Sequence, residues 1–165
     1  MIAVVPLALF VTCWVVEQSL ILAATTSAAA AGVLLLLQFG AQHFTGPIAH
    51  VPLRERPAAV VSTAVVLGLL TGGAMGFAAL VAGFHGNAPT PWLYLCGPVA
   101  WVLPLAGNET SYLCILGILT PFTWIAYWGF LIAGTSRLTG FQRSMLVALF
   151  HFASAGAYHI LVGIS

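Results

Sequence analysis

Polar positions are rare along this chain, and they punctuate it. Arg54, Glu55 and Arg56 form one polar interruption, and Arg137 and Arg143 bracket another. Between them run apolar stretches at 57–84, 111–134 and 144–164. Each is long enough for the roughly 20 residues that a helix needs to cross about 30 Å of hydrocarbon. Residues 1–43 are also apolar. As one straight helix they would reach about 65 Å at 1.5 Å per residue, too long for a single crossing. Two crossings with a tight turn fit better. The turn falls at Thr25-Thr26-Ser27 or at Glu17-Gln18-Ser19. The first is preferred, because it leaves a full-length first helix and places Glu17 inside it.

The stretch 92–106 is different. It is short, and Pro98 and Pro104 lie within it. Proline removes a backbone donor and breaks a helix unless neighbours satisfy the freed carbonyl. The stretch therefore reads as a re-entrant or interfacial segment. Trp92, Tyr94 and Trp101 suit the headgroup belt. The arginines support this. If 92–106 crossed fully, the 54–56 and 137–143 loops would face opposite sides. If it does not cross, both face the cytoplasmic side, where basic residues concentrate. The expected fold is all-α: one polytopic transmembrane domain over residues 1–165. It has about five transmembrane helices plus one short half-inserted segment, with the N-terminus inside. Asn108-Glu109-Thr110 then matches a glycosylation sequon on the outer side.

Composition agrees. Of 165 residues, 61% are hydrophobic and 4% are charged, and the mean hydropathy is +1.09. A soluble domain carries about 25% charged residues, so soluble and disordered classes are excluded. Net charge is +1, which offers no basic patch for nucleic acid. The expected surroundings are a lipid bilayer, of the inner (cytoplasmic) or mitochondrial inner membrane type, and other membrane subunits. The start, Met1-Ile2-Ala3-Val4-Val5, has no basic n-region, so it reads as a retained segment rather than a cleaved signal. Cys13, Cys96 and Cys114 have no metal-site spacing. They read as small buried apolar residues, with a Cys96–Cys114 disulfide as the alternative.

Gly68, Gly72 and Gly76 recur at four-residue spacing, which lets helix backbones approach closely in lipid. The contact is either within the chain or with a partner. Ala28 to Ala31 and Gly32 should pack the same way.

An ionisable residue inside a membrane span is a functional hypothesis by default. The candidates are Glu17, His43, His85, His151 and His159. His151, Ser154, Ala155, Tyr158 and His159 share one helix face, which must turn toward protein or a cavity. From an entry near Ser144, His151 lies about 10 Å deep and His159 about 22 Å. His43 closes the second predicted span on the inner side, and His85 the third on the outer side. The topology thus pairs His43 with His151 and His85 with His159. Such pairs can supply the axial nitrogens of haem b. The plainer reading gives these histidines packing, capping or interfacial roles. Glu17 could serve a proton or ion relay if it is buried in a helix, or sit in the headgroups if the turn falls there.

The tail Ala157-Tyr158-His159-Ile160-Leu161-Val162-Gly163-Ile164 resembles the haem-ligating helix of the cytochrome b subunit of succinate dehydrogenase. The resemblance implies an axial role for His159. It covers those residues alone. The family's His-Arg-x-x-Gly motif has its nearest counterpart in Ser136-Arg137-Leu138-Thr139-Gly140, without the histidine.

No nucleophile elbow, HExxH or phosphate-cradling loop is present. Three functions are therefore expected in order. The first is a subunit of a larger respiratory or other electron-transfer or energy-converting complex, binding haem or serving as an anchor. The second is a small transporter or channel module. The third is a membrane enzyme acting on a lipid or quinone.

Overall fold

A computed structural model describes residues 6–8, 10–11, 20–45, 57–84, 94–106, 108, 111, 114–133 and 138–164. Among the described residues every regular element is helical. They are α1 (Leu20–Thr45), α2 (Pro57–Phe84), a 3-10 segment (Gly97–Leu105), a π turn (Ile115–Leu119), α3 (Thr120–Ala133) and α4 (Gly140–Ile164).

Three helices are long and apolar enough to cross a membrane: Pro57–Ala79, Ile115–Ala133 and Gly140–Leu161. Thr26–Gly40 and Tyr94–Leu105 are shorter apolar helices. One expectation is corrected. α1 runs without a break through Thr25, Thr26 and Ser27, so the preferred turn does not form there. Thr26 is fully buried. Apolar alanines flank these hydroxyls on both sides, and a helix accommodates single serines and threonines once tertiary packing supports them. The alternative turn, at 17–19, lies outside the described residues. Ser27 Oγ donates to the Pro6 carbonyl at 3.0 Å. On one straight helix those residues would stand about 30 Å apart, so Pro6 lies beside α1 rather than on a straight extension of it.

Local chemistry sets several boundaries. Pro57 opens α2, where a missing N–H costs nothing. Thr139 caps α4 reciprocally: Gln142 N donates to Thr139 Oγ1 at 3.2 Å, and Thr139 N donates to Gln142 Oε1 at 2.9 Å. The π turn ends at Leu119, two residues before Pro121. A proline ring crowds the preceding helical turn and gives it no N–H. The widened turn absorbs both effects.

The glycine face of α2 packs on α3 within the chain. A Cβ on Gly68 would stand 2.5 Å from Ile125 Cα, and one on Gly72 would stand 2.5 Å from Pro121 Cα. One on Gly76 would stand 3.1 Å from the Leu116 carbonyl oxygen. Numbers rise on α2 as they fall toward the π turn, so the two are antiparallel. The end of α2 and the start of the π turn therefore lie at one end of the bundle. Pro57, directly after Arg54–Arg56 in sequence, lies at the other end with the last turn of α3. Gly32, in contrast, is exposed with nothing within 4 Å of an added Cβ. The expected packing of that residue is not made here.

The main core joins Ala30, Val33 and Leu37 of α1 to Trp124, Trp128 and Leu131 of α3 and to Ala148, Phe152 and Ala155 of α4. Tyr94 sits in the same core.

Candidate functional site

The polar face read on the last helix turns inward. His151 is fully buried, Ala155 is fully buried and His159 is 3% exposed. What they meet is the segment 94–105. His151 Nε2 is 2.8 Å from the Tyr94 carbonyl oxygen. A carbonyl only accepts, so Nε2 carries the proton. In the neutral ring Nδ1 is then the acceptor, and the Tyr127 hydroxyl, 3.3 Å away, donates to it. His159 Nδ1 pairs with the Tyr94 hydroxyl at 3.0 Å. Tyr94 therefore touches both histidines, one through its main chain and one through its side chain.

The reason lies in the segment's own sequence. In a regular helix the N–H of residue 98 would serve the carbonyl of residue 94. Residue 98 is proline and has no N–H. His151 supplies the missing donor from another helix. The break is completed at Gly97, which has φ +58, a left-handed conformation that costs an L-residue roughly 1–2 kcal/mol. A side chain there would also strike the His151 ring at Nδ1 and Cε1. The imidazole lies directly against this glycine.

Aromatic rings close the rest. Trp124, Tyr127 and Phe152 lie with ring centroids 5.9, 5.7 and 5.2 Å from His151. Further along, Trp101 Nε1 donates to the Ser154 carbonyl at 2.9 Å, and its ring meets Tyr158 edge to face. The segment thus runs beside α4 in the same direction. Its start lies beside His151, and Trp101 lies beside Ser154 and Tyr158.

This arrangement revises the belt reading. Tyr94 is fully buried, whereas Trp101 is 45% exposed. Trp92 lies outside the described residues. Among the cysteines, Cys96 is buried and free and Cys114 is exposed and free, so the alternative disulfide between them is not formed. The side chains of His43, His85 and Glu17, and with them the two histidine pairs and the relay, lie outside the described residues. Among the described residues no group of three or more His, Cys, Asp or Glu could hold a metal ion.

Haem places a specific demand on each ring: one nitrogen must face the iron. His151 does not fit this demand, since both of its nitrogens serve protein groups and Gly97 lies against the ring. His159 is held through Nδ1, the bond that in haem and zinc proteins commonly orients an axial ring. Chemically, the cluster satisfies buried polar groups. It is not a continuous proton path, because a carbonyl oxygen has no proton to pass on.

Sequence reading missed Tyr94, Tyr127, Gly97 and Arg143 as site or structural residues. A signal for one of them was present. Pro98 orphans the Tyr94 carbonyl, and a buried histidine is a natural donor to it. Arg143 is 7% exposed rather than a free loop charge. Its Nη1 donates to the Leu131 carbonyl at 2.7 Å, at the open carbonyl end of α3.

Comparison with known protein families, curated proteins and solved structures finds no match to this chain.

Proposed function

We propose that the chain is an integral membrane subunit of a larger complex, of the electron-transfer or other energy-converting kind, and serves in it as a helical anchor. The observation that carries this reading is the cluster itself. His151 is fully buried and is spent on holding a broken segment against α4. The very low charge and the three membrane-length helices support the same view. They leave a largely apolar exterior, with Phe77 at 69% and Leu70 at 66% exposure, suited to lipid or to other subunits.

The full topology has about five crossings. Segment 94–105 is half-inserted, leaving on the side where α2 ends. Both arginine loops then share the opposite, cytoplasmic side. Haem b, if the complex carries it on this chain, does not rest on His151.

The test is the size of the species that carries the chain after mild solubilisation of its native membrane. An assembly well above a monomer or dimer, containing redox subunits, is expected. A chain that migrates alone, with full transport activity in liposomes, would replace this reading.

The transporter reading has its own observation. A segment broken at Gly97 and Pro98 beside a π turn is the kind of irregular backbone that lines substrate sites. Vesicles containing only this chain should show no substrate-dependent flux if the anchor reading holds.

A further inference from the structure

We propose that Tyr94 is a redox-active tyrosine, oxidised by one electron, with His159 as the acceptor of its proton. The inference goes beyond an anchoring role and rests on the electron-transfer reading for its physiological oxidant. Tyr94 is fully buried and His159 is 3% exposed. The Tyr94 hydroxyl lies 3.0 Å from His159 Nδ1, and the two rings stand edge to face at 5.8 Å. A base takes a proton directly only within roughly 2.6–3.2 Å of the atom that carries it, and this pair meets that condition. The other tyrosine–histidine contact, Tyr127 to His151, is longer at 3.3 Å.

The chemistry follows from burial. A phenol that loses an electron and keeps its proton becomes a cation radical, and a cation in an apolar interior is strongly unfavourable. Here the Tyr94 O–H bond breaks, the proton crosses to the lone pair of His159 Nδ1, and the electron leaves to the oxidant. The products are a neutral phenoxyl radical and an imidazolium. The new N–H of the imidazolium donates back to the phenoxyl oxygen. Reduction by one electron returns the proton to Tyr94. The step requires the neutral His159 tautomer with its proton on Nε2, so that Nδ1 accepts. The oxidant is a high-potential one-electron acceptor, an oxidised metal centre of a neighbouring subunit. Aromatic rings mark a route to it: Trp101 is 45% exposed, and its ring meets that of Tyr158, beside His159 in sequence, at 5.6 Å. The enclosure of Tyr94 also keeps the radical from side reactions with solvent.

The experiment uses the full chain in detergent, with its histidines labelled with nitrogen-15. The oxidant is ruthenium(III) tris(bipyridine), generated by a light flash in the presence of persulfate. Electron paramagnetic resonance identifies the radical, and transient absorption reads its rate of formation. A neutral tyrosyl radical coupled to a histidine nitrogen is expected in the wild type and in Tyr127→Phe. Tyr94→Phe should lose it. His159→Gln should form it roughly a hundredfold more slowly and without the nitrogen coupling. A wild-type signal confined to tryptophan, or a tyrosyl radical with no nitrogen coupling, would overturn the proposal. So would loss of the coupled signal in Tyr127→Phe, its survival in Tyr94→Phe, or an unchanged rate in His159→Gln. Should Tyr94→Phe or His159→Gln fail to fold, the wild type and Tyr127→Phe still decide. Because the oxidant is added, the result is independent of any complex, whose existence is tested separately by the size of the solubilised assembly.

Discussion

The bundle is held together in two different ways. Between α2 and α3 the contact is steric. Three glycines bring one backbone against another, and the joining polar contact is a short relay, Trp128 Nε1 to Thr71 Oγ1 at 3.0 Å and Thr71 Oγ1 to the Leu67 carbonyl at 2.6 Å. Between α4 and the segment 94–105 the contact is polar. Two histidines and two tyrosines satisfy one another and a carbonyl that proline leaves without a donor. Where the surroundings are apolar, burying more carbon between helices gains little, so close approach and hydrogen bonds take over. The regular helices use the first device. The broken segment needs the second, because its backbone is not self-sufficient.

The two devices should fail differently. His151→Ala should be the most damaging change, costing about 3–5 kcal/mol, since it opens a cavity and strands the Tyr94 carbonyl and Tyr127 hydroxyl. Melting in detergent, with Trp101 fluorescence as the local reporter, would show the segment loosening while the α2–α3 contact persists. Gly97→Ala comes next. The left-handed backbone alone costs roughly 1–2 kcal/mol, and the collision with His151 adds to it, so its melting point should fall nearly as far. Gly72→Leu should cost about 1–3 kcal/mol by overpacking. Its signature is a wider α2–α3 distance between paired spin labels, with the Trp101 signal unchanged. Tyr127→Phe should lose about 1 kcal/mol, the net worth of one hydrogen bond. Gly73→Ala, with nothing within 4 Å of the new Cβ, should leave the melting point in place. A large loss there would mean that α2 uses its second face as well.

The same contrast explains what could be read from the sequence. The glycine face was legible because its spacing is local: residues 68, 72 and 76 announce a close helix contact before the partner is known. The break in the segment 94–105 was legible for a similar reason, since its two prolines are internal to it. The inward face of His151 and His159 followed from helical period. Their partners did not, because Tyr94 and His151 are 57 positions apart, and nothing local indicates which carbonyl a buried imidazole will meet. Reading His151 as a haem ligand weighed its chemistry without the competing demand of a carbonyl that Pro98 leaves without its helical donor. Tyr94 was assigned to the membrane surface on residue type alone. The turn expected at Thr25–Ser27 failed for a related reason. Hydroxyl residues favour turns as a weak prior, and a helix packed along Ala30, Val33 and Leu37 overrides it. Arg143 was counted as a loop charge because its sequence neighbours are polar. Its use as a cap for α3 depends on where α3 ends in space.

The most direct test of this account is the protonation of the His151 ring nitrogens, read by nitrogen-15 solid-state NMR of the labelled chain in bilayers and assigned with His151→Gln. The account predicts a neutral ring with the proton on Nε2 and an unprotonated, hydrogen-bonded Nδ1 whose shift moves in Tyr127→Phe. A ring protonated on Nδ1 instead, or one whose signal carries the shift of a metal-bound imidazole, would contradict it.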